Sequence, residues 1–321
     1  MVLQTLESQA PTSWVDAPAG AVVGNTPLLP LRRLLSDKPT VSLWAKAEWF
    51  NASGSVKDRP AREILQQALS EGRLQGRRLL DATSGNMGIA YATFAAAWGV
   101  PVTLAMPANA SPERIAVLRG LGAELVLTDP EAGVDGAMAW VARQAELHPD
   151  RYYWANQYDN PANWRAHYHT TGPEIARQTG GRVTHVVAGT GTGGTLTGIG
   201  RYLRSVLPDV RLIGVQPAGG DEPIPGLKHM ATSSRRPAIY DAGLPDAVRY
   251  VRAAQAHAMA RRLAREEGLF VGPSAAAAVW AACEVAAELQ EGMVVVILPD
   301  AGYKYLSSPL WGEEPAPTPA P

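Results

Sequence analysis

Apolar side chains along this chain follow two rhythms. Ala61, Ile64, Leu65, Ala68 and Leu69 recur at the spacing that places them on one face of a helix. Residues 41–46 instead alternate as a half-buried strand does, after a Gly24-Asn25-Thr26-Pro27 turn and Leu28-Leu29. From there the two rhythms take turns. Residues 77–81 read as a strand that stops at Thr83-Ser84-Gly85-Asn86, and an apolar helix covers 88–98. A strand over 101–106 leads to Ser111-Pro112-Glu113, which supplies a cap and a proline at the first helical position. A strand over 123–127, a helix over 134–147 and a strand starting at 152–154 follow. Strands alternating with helices over this length predict parallel βαβ units.

Residues 156–169 break the rhythm. The segment is polar, contains Asn160-Pro161 and predicts an irregular connection with a domain boundary close by. Thr171-Gly172-Pro173-Glu174 then matches a capping box that opens a helix. Residues 184–188 form a strand, a glycine-rich loop follows, and a helix over 196–207 precedes a strand over 210–216. Residues 217–247, rich in Gly, Pro and Ser, read as a mobile surface excursion. The remainder predicts a helix over 247–267, a strand over 269–272, a helix over 275–289 and a strand over 293–298. There is no repeat of solenoid period. The pattern predicts a two-domain α/β protein with a loose arm over 1–12 and a proline-rich, disordered tail over 313–321. A smaller α/β domain is expected over 50–160, and a larger one built from 13–49 plus 161–312.

Composition narrows the function classes. A length of 321 residues suits two domains and a sizeable core. A formal net charge of −1 gives no reason to expect a nucleic-acid or anionic-membrane partner. The single cysteine, Cys283, rules out an intrachain disulfide and a cysteine-based zinc site. His167 and His169 lack the further ligands a metal needs, so no metal is assigned. The first residues lack a signal-peptide pattern and no apolar run reaches membrane-spanning length, so a cytoplasmic, soluble protein is expected.

Four strand-to-helix junctions carry candidate chemistry. The loop Asn51-Ala52-Ser53-Gly54-Ser55-Val56 delivers Lys57 to the first turn of a helix that Ser55 or a neighbour can cap, with Pro60 tolerated inside that turn. The positive end of the helix dipole disfavours a protonated lysine there, and an amine that sheds its proton can act as a nucleophile. Gly189-Thr190-Gly191-Thr192-Gly193-Gly194-Thr195, composed only of Gly and Thr, can turn its amides toward a phosphate at a helix start. Gly189, Gly191 and Gly194 also fit G-x-G-x-x-G, so a nicotinamide-binding oxidoreductase is a rival reading. Against it, the next strand ends at Gln216, where an acidic residue would be needed for the ribose. Thr83-Ser84-Gly85-Asn86 and Pro273-Ser274 add hydroxyl and amide groups at further strand ends. An activated lysine, a phosphate cradle and polar groups at strand ends together describe a site for an aldehyde cofactor bearing a phosphate, and pyridoxal 5'-phosphate fits.

In the segments NASGSVKDRPA, ATSGNMGIA, AHYHTTGPEI, GTGTGGTLTG and DAGYKYLSS the chain resembles the cysteine synthases, which are fold type II (β-family) pyridoxal phosphate enzymes with a tryptophan synthase β-like fold. AHYHTTGPEI and the last segment resemble the B-type enzymes more than the A-type. The resemblance implies that Lys57 forms the Schiff base and moves the α-proton of the substrate. It implies that Asn86 contacts the ring oxygen of the cofactor, that Gly191, Thr192, Gly193, Gly194 and Thr195 hold its phosphate, and that Ser274 faces the pyridine nitrogen. Thr83, Ser84 and Gln157 match the groups that hold the substrate carboxylate, which makes 50–160 the substrate-binding domain and the larger domain the phosphate-binding one. The implied reaction is β-replacement of O-acetyl-L-serine by sulfide, or thiosulfate, through an aminoacrylate intermediate to give L-cysteine, in a homodimer.

The chain departs from the family pattern at Ala52 (usually proline), Met87 (usually threonine) and Ala275-Ala276 (commonly Ser/Ala-Gly). Lys228 lies near the place where phosphoserine-preferring relatives carry an arginine, and is expected at the surface. O-phosphoserine sulfhydrylase, cystathionine β-synthase, serine/threonine dehydratase and a catalytically silent cofactor-binding protein stay open as alternatives at this point.

Overall fold

The computed structural model describes residues 18–35, 38–83 and 85–311. The expected arm over 1–12, the expected tail over 313–321 and Ser84 lie outside them. A short helix α1 (Pro18–Ala21) precedes strands β1 (Leu28–Leu31) and β2 (Val41–Ala47) and the lysine-bearing helix α2 (Asp58–Ser70). Next come β3 (Arg78–Ala82), α3 (Asn86–Trp98), β4 (Val102–Pro107), α4 (Pro112–Gly120), β5 (Glu124–Thr128), α5 (Gly133–Leu147) and β6 (Tyr152–Trp154). These four strands form one wholly parallel sheet in the order β5-β4-β3-β6. The buried faces of α2 and α3 pack on it through Ile64, Leu65, Tyr91 and Phe94, opposite Leu79 and Leu104.

The chain continues through α6 (Ala162–His169), α7 (Thr171–Gln178), β7 (His185–Gly189), α8 (Gly194–Val206), β8 (Arg211–Pro217), β9 (Ala247–Val251), α9 (Ala253–Arg262), α10 (Pro273–Glu288) and β10 (Gly292–Leu298). A second sheet runs in the order β1-β2-β10-β7-β8-β9, with only β1 antiparallel to its neighbour. Its inner strands, HVVAG and GMVVVIL, are buried on both faces, as parallel strands under helices must be. Both sheets with their flanking helices confirm the expected α/β class.

Five local expectations are corrected. Residues 162–169 are helical rather than irregular, because α6 gains its burial from α2 on one side and α8 on the other. Gly198 of α8 leaves the room: a β-carbon there would lie 2.1 Å from the carbonyl oxygen of Trp164. The Thr171 capping box does not form, since Glu174 is drawn into an ion cluster instead and Thr170 is the residue at the helix start. The helix expected over 247–267 begins with an edge strand, β9, paired to β8, before α9 starts at Ala253 and ends in a π-helical turn, Leu263–Glu267. The strand expected over 269–272 is reduced to one bridge between Val271 and Ala301. The segment 218–246 is no loose excursion either. Ile224 and Ile239 are buried, and the Lys228 amide donates to the Thr190 carbonyl at 2.8 Å.

Candidate active site

Lys57 stands at the N-cap position of α2, on the wall of a cavity of about 310 Å³ between the strand ends of the two sheets. The same cavity is lined by Thr83, Asn86, Gln157, Gly191, Thr192, Gly193, Thr195 and Ser274. The structure therefore brings together groups that come from four junctions far apart in sequence. Gly194 sits just behind the lining, where a β-carbon would lie 2.1 Å from the Asn163 Oδ1.

Burial pulls the Lys57 ammonium below its usual range, while the nearby Asp300 carboxylate opposes the shift. The dipole argument from sequence thus gives the right sign with the wrong leading cause. No side chain caps α2; Ser55 Oγ accepts from the Lys57 amide at 3.3 Å, and the Asp58 carboxylate turns back to accept from the Ser53 amide and hydroxyl. The lysine loop is also tied to the end of β10, with the Val56 amide donating to the Pro299 carbonyl at 2.8 Å.

The glycine–threonine loop is shaped by close approach. A β-carbon on Gly191 would lie 2.5 Å from the Gly226 carbonyl oxygen, and Gly193 has a φ of +86°. Helix α6, missed in the sequence, props the loop from behind. Asn163 Nδ2 donates to Thr192 Oγ1 at 3.2 Å and to the Gln157 carbonyl at 2.7 Å. His167 shares hydrogen bonds with Thr171 Oγ1 at 2.9 Å and Thr195 Oγ1 at 3.3 Å. Burial pushes His167 down to about 3, so the ring is neutral and serves as a support rather than as a proton carrier. The only sequence hint was the H-x-H pair, which we tested as a metal motif.

Thr83 Oγ1 accepts from the Gly88 amide at 2.9 Å, and Gln157 Nε2 donates to the Ala82 carbonyl at 3.1 Å. The Gln157 amide donates to buried Asp81 at 3.3 Å. Ser274 is the second residue of α10 and is buried against the cavity. Met87 is buried at the same wall. Lys228, expected at the surface, lines the cavity with its ammonium 5.2 Å from the centre of the Tyr158 ring. Arg114 of α4 lines it too, over the ring of Tyr305. Neither Arg114 nor Asp300 was singled out from the sequence, although Asp300 begins the DAGYKYLSS segment.

The residues present fit a phosphorylated aldehyde cofactor. Gly191 and Gly193 let the loop close against the Gly226 carbonyl and Tyr240 while lining the cavity, Thr192 and Thr195 line it with them, and a lysine of lowered basicity shares it. The comparisons with known proteins agree. Residues 21–300 match the model of the family described as pyridoxal-phosphate dependent enzyme. A cysteine synthase of Aquifex aeolicus is 47% identical over 300 residues, covering 91% of this chain and 91% of the relative. Cysteine synthase B of Escherichia coli is 42% identical, covering 91% of this chain and 95% of the relative. The crystal structure of an Entamoeba histolytica cysteine synthase superposes with a TM-score of 0.88 at 30% identity, covering 99% of this chain and 96% of that one. On this evidence the chain belongs to the cysteine synthase family of pyridoxal-phosphate dependent enzymes, fold type II.

Proposed function

We propose that the protein makes L-cysteine by replacing the acetate of O-acetyl-L-serine with sulfide. The observation that carries this reading is the placing of Lys57, a glycine–threonine cradle and the amide of Asn86 in one cavity. Gly191, Thr192, Gly193, Gly194 and Thr195 would hold the cofactor phosphate, Asn86 its ring oxygen and Ser274 its ring nitrogen. When bound, pyridoxal phosphate supplies an electron sink for charge developing at the substrate α-carbon.

Lys57 would hold the cofactor through its amine and would serve as the base for the substrate α-proton, for which an amine of lowered basicity is suited. Ser274 would meet the ring nitrogen with a neutral hydroxyl rather than a carboxylate, a choice that would favour elimination at the β-carbon. Thr83, Ser84 and Gln157 bind the substrate carboxylate. Support for Gln157 is its doubly held backbone, through Asp81 on its amide and Asn163 on its carbonyl. We extend the proposal to two domains with boundaries near residues 50 and 160, to a homodimer and to a cytoplasmic location.

A second reading is favoured by one observation. Lys228 and Arg114 both line the cavity, which suits an anionic leaving group or sulfur donor such as O-phosphoserine or thiosulfate.

The test is spectroscopic. The protein is reconstituted with pyridoxal phosphate, its visible spectrum is recorded, and O-acetylserine or O-phosphoserine is added, followed by sulfide. A visible band that changes with the serine ester and returns with sulfide supports the reading. A protein that never takes up the cofactor, or Lys57→Ala retaining near-normal turnover, overturns it.

A further inference from the structure

The Asn86 amide has two sides, and the fold fixes which way they face. Lys304 Nζ donates to Asn86 Oδ1 at 2.9 Å, and Asn86 Nδ2 donates to Asp300 Oδ2 at 2.6 Å. The Lys304 ammonium has two further acceptors, the carbonyls of Ser53 at 2.9 Å and Gly54 at 3.3 Å, so its three hydrogens are matched by three oxygens. Asp300 is fully buried, and its Oδ2 also accepts from the Tyr305 hydroxyl at 2.6 Å. Gly272 makes space for it, since a β-carbon there would lie 2.2 Å from Asp300 Oδ1. Turning the amide over would set its NH2 against an ammonium and its oxygen against a carboxyl group with no compensating partner.

We propose that Lys304 and Asp300 are positioning residues that lock the Asn86 amide, so that its second Nδ2 hydrogen is the group presented to the cavity. A donor held in this orientation matches an oxygen acceptor with anionic character, such as the ring oxygen of pyridoxal phosphate, and rejects a donor there. Lys304 ties the same lock to the lysine loop through Ser53 and Gly54, four and three residues before Lys57. The assignment rests on the reading that Asn86 contacts the cofactor ring.

Double-mutant cycles of cofactor affinity test it. Lys304→Met and Asp300→Asn are each made in the wild-type and Asn86→Ala backgrounds. Pyridoxal phosphate binding to the cofactor-free protein is titrated by tryptophan fluorescence, and the visible band of the bound form is recorded. Each single variant should weaken binding by about tenfold or more and shift the band, and Lys304→Arg should restore both. In the Asn86→Ala background Lys304→Met should cost little further affinity, while Asp300→Asn should keep only the part of its effect that runs through Lys57. Full additivity would overturn the proposal, because the residues would then act independently of Asn86. If Lys304→Met does not fold, the Lys304→Gln cycle decides by the same criterion. Asn86→Ala binding the cofactor like wild type, with an unchanged band, would instead overturn the underlying reading of Asn86.

Discussion

Arg59, two residues beyond the proposed Schiff-base lysine, is fully buried and carries a charge that must be matched. Its Nε and Nη2 donate to the two Glu48 carboxylate oxygens at 2.7 and 2.8 Å. Its Nη1 and Nη2 donate to the Glu174 oxygens at 2.7 and 2.8 Å, and Lys46 Nζ donates to Glu174 Oε2 at 2.6 Å. Two cations thus face two carboxylates, and the cluster is neutral. Arg59→Met removes one positive charge and strands Glu48, whose remaining donors are Thr26 Oγ1 at 2.7 Å and Asn51 Nδ2 at 3.0 Å. Breaking a buried pair from one side costs about 3–5 kcal/mol. An exposed pair such as Arg262–Glu266 is worth only about 0.3–0.5 kcal/mol.

The assay is urea unfolding followed by tryptophan fluorescence at pH 7.5 and 5.5, with Arg262→Ala as the surface control. In the wild type, Glu174 is held down to about 2 against the opposing effect of burial, chiefly by its hydrogen bonds to Arg59. A depressed carboxylate contributes stability that is present above its unfolded value and lost only as the pH falls toward 2. The wild type should therefore lose nothing from the two carboxylates of this cluster between pH 7.5 and 5.5. In Arg59→Met, burial acts on Glu48 without its main counter-charge, so its pKa rises and protonation relieves the variant as the pH falls. The deficit should shrink at pH 5.5, and adding Glu48→Gln should recover part of it. A deficit below about 1 kcal/mol, or one independent of pH, would refute the electrostatic account.

Three further outcomes follow from the geometry. Burial raises Asp81 to about 6, and a raised carboxyl contributes stability that is full below its unfolded value and lost as the pH rises through 6. The thermal midpoint of Asp81→Asn should therefore gain on wild type between pH 4 and 7.5, and an unchanged difference contradicts this. Gly191→Ala places a β-carbon 2.5 Å from the Gly226 backbone oxygen, so pyridoxal phosphate affinity should fall by about tenfold or more; unaltered affinity would remove the loop from the phosphate site. Lys228→Met should lower kcat/KM for O-phosphoserine more than for O-acetylserine, and equal effects on both would end the anionic-substrate reading.

What the sequence made legible follows from where its information is local. An apolar run that stops at a polar cluster marks a strand end, so β3 before Thr83 and Asn86, and β7 before its glycine loop, could be read directly, and both ends line the same cavity. Helix α6 could not, since Ala162 and Ala166 alone make a faint stripe and its helicity is enforced by α2 and α8. The omission mattered, because Asn163 and His167 are what hold Thr192, Gln157 and Thr195. The charge cluster was invisible for another reason: Lys46, Glu48, Arg59 and Glu174 come from three separate stretches of chain, and no spacing rule joins them. Likewise 247–251, AVRYV, runs straight into an alanine-rich helix, and only pairing with β8 decides its form.

The site's central residue shows how these layers combine. A lysine at a helix start is ordinary, and the dipole that suggested its reactivity acts on Asp58 as well, the acidic residue of the first turn of α2. What distinguishes Lys57 is enclosure: one end of its loop is bonded to Pro299, the middle is gripped by Lys304, and the helix after it is anchored by Arg59. Enclosure removes water from the amine, and the loss of hydration disfavours its protonated form. Asp300 limits that effect and at the same time fixes Asn86 across the cavity. One buried carboxyl group, contributed by the segment that follows β10, therefore acts on both the lysine and the amide opposite it, with burial the larger influence on the lysine and Lys304 the other hold on the amide.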